Sequence, residues 1–178
     1  MVIQRLTRFF TTLSNMLDVL AKKIVIVLIG FLVVLVLVTV FFRYVLSIGI
    51  GWSDEVARYV NIWVALLGAS VAFKCGEHVG VEFFRNLLPE KIAKITKFII
   101  NLAMLALLGL SEYYCYLYVI RSRAVTPSLQ IPYKWVQMSL FVGLAIITIH
   151  LLSFIMTDID HMLAGTFFTP ANVKEDAE

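Results

Sequence analysis

Residues 24–42 read IVIVLIGFLVVLVLVTVFF, nineteen positions without a charge or a proline. At 1.5 Å per residue the run makes a helix of ~28 Å, close to the thickness of a bilayer's hydrocarbon core. The apolar core of a secretory signal is shorter, about 7–15 residues, and ends at a small-residue cleavage site. This run ends instead in Phe41-Phe42-Arg43-Tyr44, so it reads as a retained membrane span.

Three further segments approach the ~20 apolar residues that a crossing needs. They are about 56–73, with Arg58 near its start, about 98–120, interrupted by Glu112, and about 135–157, carrying His150. Backbone groups in lipid must be satisfied within the segment, so the spans are helices. The expected fold is an all-α integral membrane protein with four transmembrane helices. Composition agrees: 61% of the 178 residues are hydrophobic and 15% charged, where soluble domains carry about a quarter charged. Mean hydropathy is +0.91. The chain is too short for the internally repeated architecture of most secondary transporters, and a net charge of +3 gives no reason to expect nucleic acid as a partner.

Around the spans lie amphipathic stretches. In residues 1–23, Ile3, Leu6, Phe9, Phe10, Leu13, Met16, Leu17 and Leu20 recur at three- and four-residue steps, with Arg5, Arg8, Thr11, Thr12, Asn15 and Asp18 between them. This pattern predicts a helix lying in the membrane interface, or one packed on a partner protein. The loop 74–97 is amphipathic too and predicts two short helices split at Pro89. The tail 158–178 is polar. Ten of the fifteen lysines and arginines fall on the side of the amino-terminal arm, the 74–97 loop and the tail. The positive-inside rule then places both termini in the cytoplasm.

Candidate chemistry is sparse. Gly51-Trp52-Ser53-Asp54-Glu55 opens the second span. Ser53 suits an N-cap, and Asp54 and Glu55 suit the positive end of the helix dipole. Either carboxylate is placed to bridge to Arg58. The alternative is a docking point for a soluble partner. Glu112 is the most costly residue in lipid. It pairs with Arg58 or Arg43, or is a protonated carboxyl at a helix contact, or relays protons or sodium. His150 is the lone histidine within a span, whereas bis-imidazole haem ligation needs two. It is expected to bond a polar neighbour such as Asn101. Cys75 and Cys115 fall near opposite faces of the bilayer and do not suggest a disulfide. Ala65, Gly68, Ala69, Ser70 and Ala72, and similarly Ala103, Ala106 and Gly109, form small-residue stripes on which helices pack closely. Arg121, Arg123 and Lys134 give the 121–134 loop a basic rim.

Several segments together resemble the small membrane subunit of tripartite ATP-independent periplasmic (TRAP) transporters, of the DctQ/SiaQ type. These are Phe42-Arg43-Tyr44, Gly51 through Tyr59, Trp63, Leu67-Gly68-Ala69-Ser70, His78-Val79-Gly80-Val81-Glu82, Leu88-Pro89, and Thr126 through Pro132 ahead of Trp135. The resemblance covers residues ~24–157. It implies a non-enzymatic subunit of a bacterial inner-membrane importer of an organic acid, of sialic acid or C4-dicarboxylate type. A large membrane subunit would hold the substrate and sodium sites, and a soluble periplasmic protein would deliver the acid. This chain would hold no substrate, metal or cofactor, and would brace the moving large subunit within the lipid bilayer. By position, Arg43, Asp54, Glu55, Arg58, Arg121 and Arg123 are candidates for periplasmic docking. Gly68, Ala69, Ala72 and Glu112 are candidates for helix packing or the subunit interface, and His78 and Glu82 for fixing a bend into the inner loop. The competing readings are an autonomous proton-coupled transporter using Glu112 and the membrane anchor of a redox complex.

Overall fold

The computed structural model describes residues 2–87 and 90–163, with side chains at 4–75, 92, 95–160 and 162. Four helices make up the fold: α1 (Val2–Tyr44), α2 (Ser53–Leu87), α3 (Glu90–Arg121) and α4 (Lys134–Leu163). All four contain a stretch long and apolar enough to cross a membrane, namely Gln4–Tyr44, Ser53–Cys75, Ile95–Arg121 and Lys134–Asp160. This is the all-α, multi-pass architecture expected.

Two expected boundaries are absent. The stretch 1–23 is not a separate surface helix, because α1 runs unbroken from Val2 to Tyr44. Nothing between Asp18 and Leu28 breaks a helix: the segment has no proline and no glycine. Likewise, residues 74–87 continue α2 and residues 90–97 begin α3. The two short helices expected there are extensions of the spans; Pro89, where they were expected to split, lies outside the described residues. His78 and Glu82, the candidates for a bend, fall within the helix, and their side chains are outside the described residues.

α1 ends where Ser47 takes a left-handed conformation (φ 55°) and the Ile48 N–H donates back to the Phe42 carbonyl at 3.0 Å. α2 then starts after a turn in which both the N–H and the hydroxyl of Ser53 donate to the Ile50 carbonyl, at 3.2 and 2.7 Å. Ser53 is therefore not the N-cap expected. The Val56 N–H bonds to the Trp52 carbonyl at 3.0 Å, which puts Trp52 in that position.

α4 is the hub. It touches every other helix, α1, α2 and α4 pack mutually, and α3 lies chiefly against α4. α1 runs antiparallel to both its neighbours along one seam: Thr7, Thr11, Ser14, Asp18 and Ala21, then Val25, Leu28, Leu32, Leu35, Thr39 and Phe42, all buried or half-buried. Alternating four- and three-residue steps are the signature of left-handed, coiled-coil-like packing. The inward seam of the first 23 residues is thus largely small and polar. Small and polar positions face the bundle, while Leu6, Phe9, Met16, Val19 and Leu20 face outward. In a soluble protein the greasy face turns in because water lies outside. Here the surroundings are themselves apolar, so the inward face can use hydrogen bonds and close packing.

A close approach joins α2 and α4. A Cβ on buried Gly143 would lie 3.1 Å from the Leu66 Cβ and 3.3 Å from the Leu66 carbonyl oxygen.

Candidate functional site

Two polar constructions stand out, one at each end of the bundle. The first occupies the end where α1 finishes and α2 and α4 begin. The segment between α3 and α4 folds into a closed hairpin. Thr126 N–H donates to the Ile131 carbonyl at 2.9 Å, Gln130 N–H to the Thr126 carbonyl at 3.2 Å and Tyr133 N–H to the Ala124 carbonyl at 2.8 Å. Val125 and Pro132 form an antiparallel bridge, and the Ile131 N–H bonds the hydroxyl of fully buried Thr126 at 3.1 Å. Gln130 turns the chain with a φ of 54°, and its side-chain amide donates to the Pro127 carbonyl at 2.9 Å.

Glu55 fastens this hairpin to α2. One carboxylate oxygen accepts the backbone N–H groups of Ser128 (2.8 Å) and Leu129 (3.2 Å). The other accepts the Tyr59 hydroxyl at 2.5 Å, and the Tyr59 ring meets Tyr133 edge-on at 5.9 Å. The Ser128 hydroxyl adds a longer contact to the Gly51 carbonyl, 3.4 Å. Charge-assisted bonds of this kind are among the stronger hydrogen bonds in proteins. The Gly51–Tyr59 and Thr126–Pro132 segments quoted above are therefore the two halves of one structure.

This geometry divides the candidate docking residues. Glu55 is only 6% exposed and is committed to the hairpin, so it is not a contact surface. Arg43, Asp54, Arg58, Arg121 and Arg123 are exposed at the same end of the bundle. Among the described residues no ion pair joins Asp54 or Glu55 to Arg58. The ion pairs given by the described residues are Lys22–Asp18, Lys74–Asp18 and Lys97–Asp158, at 2.8, 3.6 and 3.6 Å.

The second construction joins α1, α2 and α4 nearer the other end. Ser14 Oγ lies 2.7 Å from His150 Nδ1, with both residues buried. Lys74 reaches across from α2 to the Ser14 carbonyl (3.1 Å), the Asn15 side-chain oxygen (2.8 Å) and Asp18. The Ser153 hydroxyl donates to Thr11 at 3.4 Å. His150 thus bonds Ser14 on α1 and not Asn101, as expected from sequence. The residues of this node other than His150 were missed. The visible signal was the 4-3-4 spacing of Thr7, Thr11, Ser14 and Asp18, which continues directly into the apolar seam.

Glu112 lies at the α3–α4 contact, where it accepts the Thr148 hydroxyl at 2.7 Å; neither Arg43 nor Arg58 bonds it. Gly68 is half-buried with open space around it, and Ala69 and Ala72 are exposed, so none of the three forms a close contact within this chain. That role belongs to Gly143. Among the described residues no group of three or more histidines, cysteines or acids is arranged to hold a metal ion. Cys75 and Cys115 are free thiols.

Known proteins resemble the chain in the same terms. It is 42% identical over 72 residues to a protein of Haemophilus influenzae assigned as a TRAP transporter small permease, covering 40% of this chain and 45% of that one. It is 33% identical over 67 residues to the sialic acid TRAP transporter small permease protein SiaQ of Vibrio cholerae, covering 38% of this chain and 39% of that one. A 51-residue stretch is 45% identical to the sialic acid TRAP transporter permease protein SiaT of Haemophilus influenzae, covering 29% of this chain and 8% of that much longer one. The matches therefore span less than half the length of each relative. Residues 32–161 match the family described as tripartite ATP-independent periplasmic transporters, DctQ component. That range takes in the last third of α1, all of α2 and α3 and nearly all of α4, including the Glu55-fastened hairpin, and the chain belongs to the DctQ family.

Proposed function

We propose that this protein is the small, non-catalytic membrane subunit of a sodium-driven TRAP importer of an organic acid, sialic acid or a C4-dicarboxylate. In this reading it braces a large membrane subunit that carries the substrate and sodium sites. It sits in a bacterial inner membrane with its amino terminus in the cytoplasm, so the hairpin end faces the periplasm. The exposed basic groups there form part of the surface on which a soluble binding protein docks. The observation that carries the reading is the family match over residues 32–161. The relation of a short stretch to the much longer permease SiaT supports a large permease as the partner. The architecture is consistent with a bracing role: four long apolar helices, among the described residues no broken-helix pair of the kind that forms midplane substrate sites, and a Glu112 committed to Thr148.

Reconstitution tests this. Proteoliposomes holding this chain, the large subunit and the binding protein are expected to take up the acid down a sodium gradient, and omission of any one component is expected to abolish uptake. Uptake by this chain alone, or undiminished uptake without it, refutes the reading.

A further inference from the structure

The outward faces of the helices differ in kind. α1 turns the bulky Ile26, Val27, Phe31 and Val34 away from the bundle, a surface that suits acyl chains, and α3 turns out Leu107 and Leu110 among exposed Ala103, Ala106 and Gly109. α2 does not present a face like that of α1. Arg58, Asn61, Ala65, Ala69 and Ala72 recur at three- and four-residue steps along its exposed face, with Gly68 at the margin. Asn61 decides what covers this face. It lies eight residues past Ser53, ~12 Å along the helix axis, inside the apolar stretch Ser53–Cys75. It is exposed, and no described residue hydrogen-bonds its carboxamide. Lipid tails offer neither donor nor acceptor, so an amide held there needs a polar partner on another helix. The alanines beside it hold no side chain that would keep such a helix away. A Cβ added at Gly68 would meet nothing within 4 Å.

We propose that the Arg58–Ala72 face of α2 is the seat of a transmembrane helix of the large permease subunit, one that presents a hydrogen-bonding group to Asn61 and an acceptor or acid to Arg58. The assignment rests on the function proposed above and adds which surface of this chain meets its partner. The bulky outward face of α1 is left to lipid.

Site-specific photocrosslinking in bacterial membranes tests it, with the tagged chain co-expressed with the large TRAP permease subunit of the same genome. Benzoylphenylalanine replaces Asn61 or Ala69 on α2, and Val34 or Leu107 as comparison positions. Adducts at the summed mass of the two subunits are expected from 61 and 69 and not from 34 or 107. Adducts from 34 or 107 alone overturn the face. So does an adduct of two copies of this chain from 69, or the absence of any protein adduct from 61 and 69 while the wild-type chain still co-purifies the large subunit. If the wild-type chain retains no large subunit at all, the function reading fails and takes this inference with it. In a parallel measurement, Ala69→Leu is expected to reduce co-purified large subunit about tenfold, the effect of losing one close helix contact in a membrane, while the chain alone elutes from detergent as the wild type does. Co-purification undiminished by Ala69→Leu and by Asn61→Leu together also overturns the assignment.

Discussion

Replacing Glu55 with alanine removes the acceptor on which two backbone amides and one phenol converge. The hairpin then keeps its internal bonds and loses its attachment to α2. Amide hydrogen exchange at Ser128 and Leu129 is expected to accelerate strongly in Glu55→Ala and less in Glu55→Gln, whose amide oxygen still accepts. Equal exchange in both variants and the wild type would show that the clamp does not hold. Arg121 and Arg123 on the same segment give the opposite kind of prediction. Both are exposed and outside any ion pair among the described residues, so their reversal to glutamate is expected to leave the fold and the membrane complex intact. Uptake should weaken, most at limiting binding protein, and a titration curve that does not shift would remove them from the docking surface. The sequence alone did not separate these roles. Glu55 and Asp54 look alike at a helix start, and only the arrival of a segment seventy residues further on buries one of them.

At the scale of elements, the existence and order of the four helices were legible because hydrocarbon demands long apolar runs and tolerates nothing but helix at this length. Their ends were less legible. Charges at Lys22, Lys23 and Lys74 were read as boundaries of spans, but a lysine is a good helix former, and the helices pass straight through them. Packing within the chain was less legible than the presence of small residues suggests. Gly68 looks like a contact residue and faces open space, while Gly143, which was not singled out, lies against Leu66. Gly143→Leu is accordingly expected to destabilise the chain by ~1–3 kcal/mol, as overpacking typically does, and so to lower its melting temperature in detergent. Gly68→Leu should leave that melting temperature nearly unchanged. Similar losses from both would contradict the α2–α4 contact described here. At the α1–α4 seam, Ser14→Ala removes a single interhelical bond to His150 and is expected to cost ~0.6–2 kcal/mol.

For the whole molecule, register sets a constraint that no single helix reveals. Ser14 faces His150 and Thr11 faces Ser153, so the start of α4 at Lys134 comes level with about residue 30 of α1, counting back at equal rise. The most apolar part of α1 therefore runs beyond its neighbour, and the 43 residues of α1 measure ~65 Å against a core of ~30 Å. A common incline is expected to bring the two apolar runs closer in depth. Spin labels at Leu20, Val27, Val34 and Phe41, heptad-spaced and all outward, are expected to differ in depth by much less than the ~31 Å that separates their ends along the axis. Depths spanning the full core would mean that α1 stands upright. Hydropathy could not have disclosed this, because it scores each segment without reference to the others. The seam of α1 has one more property. Its apolar half repeats every seven residues and by itself would tolerate a shift of ~10 Å along the neighbouring helices. Asp18 and Ser14 would then leave Lys74 and His150 for aliphatic surroundings, as a buried polar residue does when a coiled coil is shifted out of register. The node acts as a detent against slippage, so a push on one tip of this long rod is passed along to its far end instead of being lost to sliding.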